Sequence, residues 1–391
     1  MERKQKNKEK GNGEGTLYKS SKTGLYIGQY VYNGKRHSVY QKKNEKIGDF
    51  KKRFADILSS INTGTYIEKD STSLLSILEN HIEQKFQDGI TEETSYARDL
   101  ETLSQIKICC KNFIDKPIQK ITVEDIEDSK SKIRNYSKSC IDKIWRLLKK
   151  GFKIAYSRRK IFYNIMEDET LTKPISKKST IKVSALSIDE ENRLINVLNN
   201  ESNSNEQYNR IILLQLYTGA RIGEILAISN NDIDLQNNTL TICKTLTKNK
   251  NKETILGEHT KTYNKINNID RGMRTFPMIS KVRKIIEEQQ NSKIANIYNL
   301  LFWDFEDNTF VKYYEINSYL RRLNEKYKIC NFSLSTHNLR HTFITRCQEN
   351  DIKLPILQSL VGHVEGSNIT TDVYTDVSLE FMSKELNKIS L

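Results

Sequence analysis

The sequence predicts a mainly α-helical protein with small β-sheets, an α+β fold: an N-terminal three-stranded sheet plus helix, a helical domain, and a mixed helix–strand domain. Three observations predict it. At 391 residues the chain is too long for one comfortable core. Aromatic, β-prone runs concentrate in residues 13–45, whereas helical apolar spacing fills most of the remainder. A second group of short strand signals falls at about residues 233–278, between helices.

Residues 1–12 are charged, polar and aperiodic, which predicts a disordered basic tail. From residue 13, Leu17, Tyr18, Tyr26, Ile27, Tyr30, Val31 and Tyr32 lie in short β-prone runs. Turn signals separate them at Ser21–Gly24 and at Asn33-Gly34, a strong hairpin dipeptide. Phe50, Phe54, Ile57 and Leu58 recur at helical spacing, so a helix over about 47–60 completes a first domain, residues 13–68. The second domain, 73–168, reads as four helices. Leu74, Leu75, Leu78, Ile82 and Phe86 form the first apolar stripe, and the second helix runs from about Glu92 to Ile108. The third starts at Thr122, whose hydroxyl can cap the turn containing Asp125. The fourth, about 137–157, turns Ile141, Ile144, Trp145, Leu148, Phe152 and Ala155 inward. Its other face carries Lys143, Arg146, Lys149, Lys150 and Lys153, continuing into Arg158, Arg159 and Lys160. Periodicity then fails over 169–183, an interdomain linker stiffened by Pro174, with Lys173, Lys177, Lys178 and Lys182 facing a polyanion. A capping box, Ser187-Ile-Asp-Glu190, opens the third domain, residues 184–391.

The net charge is +14, and residues 1–60 hold 15 Lys and Arg against 6 Asp and Glu, so nine of those fourteen charges sit in the first sixth of the chain. A basic segment of this kind suits a nucleic-acid partner; Lys35 and Arg36 are its candidate contacts, beside Arg146, Lys149, Lys150, Lys153, Arg158, Arg159, Lys177 and Lys178 further on. No run approaches the roughly 18 apolar residues of a membrane span, and the charged N-terminus lacks a signal's apolar stretch, which predicts a cytoplasmic protein. The six cysteines (109, 110, 140, 243, 330 and 347) form no Cys-x-x-Cys pair and read as buried free thiols.

Four segments of the third domain gather chemistry. In Tyr217-Thr-Gly-Ala-Arg221-Ile-Gly-Glu224, Arg221 follows one helix and opens another. Its planar fork can grip two phosphate oxygens, or it can serve as a structural partner of Glu224. In Thr336-His337-Asn-Leu-Arg340-His341, His337 and Arg340 share a helical face and His341 is one turn from His337. A histidine pair at this spacing can bind zinc, although the glutamate of a metalloprotease motif is missing; an arginine flanked by histidines suits phosphate chemistry. The remaining segments are Leu360-Val-Gly362-His363 and Thr371-Asp-Val-Tyr374. Tyr374 is the only tyrosine after Tyr327.

Taken together, Ala220-Arg221-x-x-Glu224, His337-x-x-Arg340-His341, Gly362-His363 and a tyrosine eleven residues later resemble the tyrosine recombinase (phage integrase) family in order and spacing. The resemblance extends over the whole chain: residues 13–68 are similar to the arm-type DNA-binding domain, 73–168 to the core-binding domain and 184–391 to the catalytic domain. It implies that Arg221 and Arg340 clamp the scissile phosphate, that His337 and His363 hydrogen-bond it and assist proton transfer, and that Tyr374 is the nucleophile. Glu224 and His341 are supporting residues. The family's lysine, which precedes an Arg-x-x-Pro strand (here Arg274-Thr-Phe-Pro277), matches Lys261 in Lys261-Thr262, with Lys265 as competitor. Departures are a longer gap from Lys261 to Arg274, Ile165 in place of a usual proline, and Asp376 in place of a common histidine.

The implied function is a site-specific DNA recombinase, an integrase of a phage or conjugative transposon. It would cleave and rejoin strands through a 3′-phosphotyrosine without a metal or other cofactor. The implied partners are double-stranded DNA attachment sites, three further copies of the chain in a tetramer on that DNA, and an excisionase or DNA-bending host protein. Three rival readings stand beside it: a type IB-like topoisomerase, a DNA-binding regulator with a dead site, and a zinc hydrolase built on His337, His341 and His363. The apolar positions Leu379, Met382, Leu386 and Ile389 of the tail have helical spacing and can dock on a neighbouring subunit or on their own domain.

Overall fold

The computed structural model describes residues 15–179, 183–200, 205–249, 251, 253–264, 269–292, 295–362 and 378–389. The expected disordered tail, residues 1–12, and Lys182 lie outside the described residues. The chain forms two compact units, one holding residues up to 82 and 101–179, the other holding 83–100 and the chain from 180 onward.

The first unit opens with β1 (Thr16–Lys19), β2 (Tyr26–Tyr32) and β3 (Lys35–Tyr40), an antiparallel meander in that order. Tyr32 pairs with Lys35 across the Asn33-Gly34 turn, and both turn residues take positive φ (49° and 73°), the backbone that this dipeptide favours in a two-residue hairpin. Helix α1 (Ile47–Asn62) covers the sheet with Phe50 and Phe54, both buried.

Helices α2 (Leu74–Gln87), α3 (Glu93–Cys109), α4 (Val123–Ile133) and α5 (Lys138–Ser157) follow within a residue or two of the expected bounds. The Thr122 hydroxyl accepts from the Asp125 backbone N–H at 3.3 Å, and the Asp125 carboxylate accepts from the Thr122 N–H at 3.2 Å, which completes a capping box. The α5 stripe buries Ile141, Ile144, Trp145, Leu148, Phe152 and Ala155 as its spacing requires. Along α2, Ile77 is buried where the pattern favoured Leu75 and Phe86, which stay half-buried.

One basic residue parts from expectation. Lys160 is turned inward, ion-paired with Asp70 and bonded to the Thr72 hydroxyl at 3.0 Å, so it does not extend the exposed basic face. Lys173 is paired with Asp142 at 2.5 Å. The stretch around it is anchored too: the Ser176 hydroxyl donates to the Tyr136 carbonyl at 2.6 Å and the Lys177 N–H to the Arg134 carbonyl at 2.8 Å. Leu171 and Pro174 are buried.

The second unit is built around α7 (Glu206–Thr218), whose Ile211, Ile212, Leu213, Leu214 and Leu216 are all buried. Against it pack α6 (Ile188–Asn200), α9 (Ser280–Asn291), α10 (Tyr313–Tyr327) and α11 (Thr336–Glu349). Helix α6 begins with the expected Ser187–Glu190 capping box. The strands form a three-stranded antiparallel sheet in the order β10 (Arg274–Pro277), β5 (Thr239–Ile242), β4 (Ile233–Asp234), plus two hairpins. The hairpins are β6 (Thr245–Lys248) with β7 (Thr254–Gly257), and β8 (Tyr263–Asn264) with β9 (Ile269–Asp270). Helix α8 (Ile222–Ile225) is a single turn, and α12 (Leu354–Val361) follows α11. The last helix, α13 (Leu379–Leu386), sends Met382 and Leu386, followed by Ile389, into the same core as α7, so this tail covers its own unit.

All six cysteines are free thiols; Cys109, Cys110 and Cys347 are buried, while Cys140, Cys243 and Cys330 are only partly so. Among the described residues no helix is long and apolar enough to cross a membrane, and no three His, Cys, Asp or Glu side chains are grouped to hold a metal ion.

Candidate active site

Two helices and one loop bring the side chains of the first two motifs to one place. Helix α7 is capped by Gly219 in a left-handed turn (φ 62°), and the chain leaves it through Ala220 to Arg221. The Gln215 amide donates to the Ala220 carbonyl at 3.1 Å and fixes that exit. Helix α11 starts with Ser335, whose N–H donates to the Asn338 side chain at 3.0 Å. From its first turns Arg340 points inward and is buried, whereas His337 and His341 are exposed, with rings 6.0 Å apart and edge to face.

The two arginines meet at the end of α12. Arg340 donates from Nη1 to the Gly219 carbonyl at 2.7 Å and from Nη2 to the Val361 carbonyl at 2.8 Å. Arg221 directs both Nη atoms at the next carbonyl, Gly362, at 3.4 Å each. Sites 119 residues apart in the chain (221 and 340) thereby share one short acceptor segment. Glu224 lies beneath them, fully buried: its Oε1 accepts from Arg221 Nη1 at 2.9 Å, and its Oε2 accepts from the Arg221 N–H at 3.0 Å and from Arg274 Nη2 at 2.8 Å. Arg221 is thus the partner of Glu224 and is still one-quarter exposed (23%) toward solvent.

Lys261 stands at the base of the β8–β9 hairpin. Thr260 holds that base: its N–H and hydroxyl donate to the Asp270 carboxylate at 2.7 and 2.5 Å. Next to it His259 stacks on Tyr263, with ring centres 3.7 Å apart. Lys265, His363 and Tyr374 lie outside the described residues.

The electrostatics follow from crowding cations around one carboxylate. Burial, and then repulsion from Arg221, push the Arg340 guanidinium down to about 10, still charged at neutral pH. Partial burial, then the charges of Arg221, Arg98 and Arg340, hold the Lys261 ammonium below the ordinary lysine range. His337 lies below the ordinary histidine value because of partial burial, then His341, Arg340 and Lys261. Burial alone would raise Glu224, but Arg274 and Arg221 more than offset it and keep the carboxylate ionised. Positive charge therefore exceeds what Glu224 balances, which is the condition for binding an anion.

Sequence reasoning passed over Arg274 as a site residue. It marks the start of β10, where Arg274 and Phe276 face inward and Thr275 faces out. Strand alternation with Phe276 was the available signal: an arginine on a buried face requires partners. The ten basic candidates for nucleic-acid contact, Lys35, Arg36, Arg146, Lys149, Lys150, Lys153, Arg158, Arg159, Lys177 and Lys178, are all exposed.

Residues 184–380 match the phage integrase family. The chain is 28% identical over 282 residues to the prophage ps2 probable integrase of Lactococcus lactis, covering 70% of each protein. It is 27% identical over 318 residues to the integrase of Staphylococcus phage L54a, covering 73% of this chain and 85% of that one. The fold is similar to that of the Tn1549 transposon integrase in complex with a circular intermediate DNA (TM-score 0.63, 19% identity, 82% of this chain and 100% of the other). It is also similar to a lambda integrase tetramer bound to a Holliday junction (TM-score 0.51, 17% identity, 92% and 94%). A match over half the chain, spanning the arginine loop and the His-x-x-Arg helix, places this protein in the phage integrase family: it is a tyrosine recombinase, a site-specific recombinase of the kind that mobile elements carry.

Proposed function

We propose that this recombinase cuts and rejoins double-stranded DNA at attachment sites through a covalent 3′-phosphotyrosine on Tyr374. Arg221 and Arg340 bind the non-bridging oxygens of the scissile phosphate. Charge builds on those oxygens as the phosphorus becomes five-coordinate, so fixed cations there stabilise the transition state more than the ground state. His337 and His363 hydrogen-bond the same phosphate and move the phenolic proton. The Tyr374 oxygen forms a bond to phosphorus while the bond to the 5′ oxygen breaks, and Lys261 donates the proton that the departing 5′ oxygen needs. The reverse attack by a 5′ hydroxyl on the phosphotyrosine reseals the strand, so no nucleotide is consumed.

The observation that carries this reading is the surplus of cations at one spot: Arg221, Arg340 and Lys261 act on one another around a single buried carboxylate, Glu224. We assign residues 13–68 to arm-type DNA sites, 73–168 to the core site, 169–183 to the link between domains and 184–391 to catalysis. Recombination of two duplexes needs four active sites, and a tetramer on DNA is the assembly we propose, in the cytoplasm with the DNA it acts on. The related lambda enzyme forms a tetramer on a Holliday junction. An excisionase or a DNA-bending host protein would bias the direction.

Nicked suicide duplexes made from the ends of the carrying element test the proposal. Wild-type protein should accumulate a covalent adduct in the presence of chelator. Tyr374→Phe should shift the same duplex in a gel and form none; an adduct from that variant would end the nucleophile assignment.

A further inference from the structure

Arg274 has no part in the chemistry above, yet its guanidinium joins three separate pieces of the site. Nε donates to the Leu360 carbonyl at 2.8 Å, in the last turn of α12. Nη1 donates to the Gly272 carbonyl at 2.8 Å, at the foot of the hairpin that begins with Lys261. Nη2 donates to Glu224 Oε2 at 2.8 Å. The fit is close: Gly362 takes a left-handed φ of 59°, and a Cβ there would lie 2.7 Å from Arg274 Nη1. Arg274 is 8% exposed, so the phosphate of a DNA backbone does not reach it.

The charge at Glu224 explains why such a residue matters beyond holding the fold. Glu224 has two cationic neighbours, Arg221 and Arg274. A carboxylate held by Arg274 leaves much of the Arg221 charge uncompensated and facing outward. Without Arg274 the whole carboxylate charge falls on Arg221, whose fork would then be held by Glu224 in competition with a phosphate.

We infer that Arg274 is a positioning residue of the recombination reaction: by neutralising Glu224 it frees Arg221 for the scissile phosphate, and by bridging Gly272 and Leu360 it sets the Lys261 hairpin and the end of α12 around that phosphate. This inference rests on the phosphate-clamping role proposed for Arg221. It also makes a demand that a mere strut would not: deleting the Glu224 charge should partly repair the loss of Arg274.

The test is single-turnover adduct formation by the full chain on a suicide duplex, with DNA affinity measured in parallel. Arg274→Met should slow adduct formation by about 100-fold, the scale of losing one fixed transition-state donor, with little change in DNA affinity. Adding Glu224→Gln to Arg274→Met should raise that rate by about tenfold, a non-additive result expected only of coupled charges. If the double variant is no faster than Arg274→Met, the charge argument is overturned. Arg274→Lys keeps the cation but not the three-way fork; adduct formation about tenfold below wild type at an unchanged melting temperature supports the bridge, and a wild-type rate overturns it, even where Arg274→Met fails to fold. Arg221→Ala separates the two levels. If it cleaves at the wild-type rate, the phosphate clamp itself fails; if it is inactive while Arg274→Met is fully active, only the role of Arg274 fails.

Discussion

Arg340 joins two demands that usually conflict, burial and permanent charge. Two backbone carbonyls, Gly219 and Val361, satisfy one side of its fork. A lysine there replaces the two-armed fork that meets both carbonyls with a single point charge. Arg340→Lys should therefore reduce adduct formation by about 10²–10³-fold, read in single-turnover cleavage, and a rate within about twofold of wild type would contradict it. Lys261 carries a pH prediction. A general acid works in its protonated form, and partial burial with the charges of Arg221, Arg98 and Arg340 lowers its proton affinity against a smaller opposing pull from Glu224. Cleavage should fall as pH rises through this depressed value, earlier than for an ordinary lysine. Lys261→Arg should move the fall to higher pH at a reduced maximum rate; an unmoved profile would exclude Lys261 as the acid. At this scale the sequence was most legible where partners are three residues apart, as in Arg221–Glu224. Two of the three partners of Arg274 lie 50 and 86 residues away, and the partner of Lys160, Asp70, is 90 residues away, so neither set of contacts could be read locally.

Elements were readable wherever periodicity and a cap agreed. Helices α4 and α6 begin at the residues their capping boxes announce, and α5 buries the stripe its spacing defines. Thr122→Ala should lower the stability of the first unit by about 1 kcal/mol, measured by urea unfolding, without changing cleavage at saturating DNA. The tail was ambiguous because an apolar stripe says that a face is covered and not by what. In this chain α13 packs into its own unit, with Leu386 only 1% exposed. Leu386→Ala should cost about 2–5 kcal/mol in the isolated protomer, visible as a lower urea midpoint without DNA. No change would mean that this helix leaves its own core in solution. In the stretch 169–178, read from its lack of periodicity as a linker stiffened by Pro174, hydrogen bonds from Lys177 to Arg134 and from Ser176 to Tyr136 are contacts that no local pattern encodes.

For the whole molecule, charge and chemistry are separately placed. The basic residues of β3, α5 and residues 158–178 that we assign to DNA are exposed, while Arg340 is buried and Arg221 mostly so. Replacing Lys149 and Lys150 by alanine should weaken binding to every sequence alike and reduce the salt dependence of affinity by about one unit of slope per lost phosphate contact; an unchanged slope would remove α5 from the interface. The fold class was accessible because it depends on periodicity and composition, whereas the joining of the site depends on contacts across more than a hundred residues, such as Arg340 to Gly219. The most direct test of the phosphotyrosine mechanism is chemical. The adduct trapped on a suicide duplex should be digested with protease and nuclease, and the modified peptide sequenced by mass spectrometry. A nucleotide linked through its 3′ phosphate to the Tyr374 oxygen is the expected product; attachment at any other side chain, or through a 5′ phosphate, would contradict the mechanism.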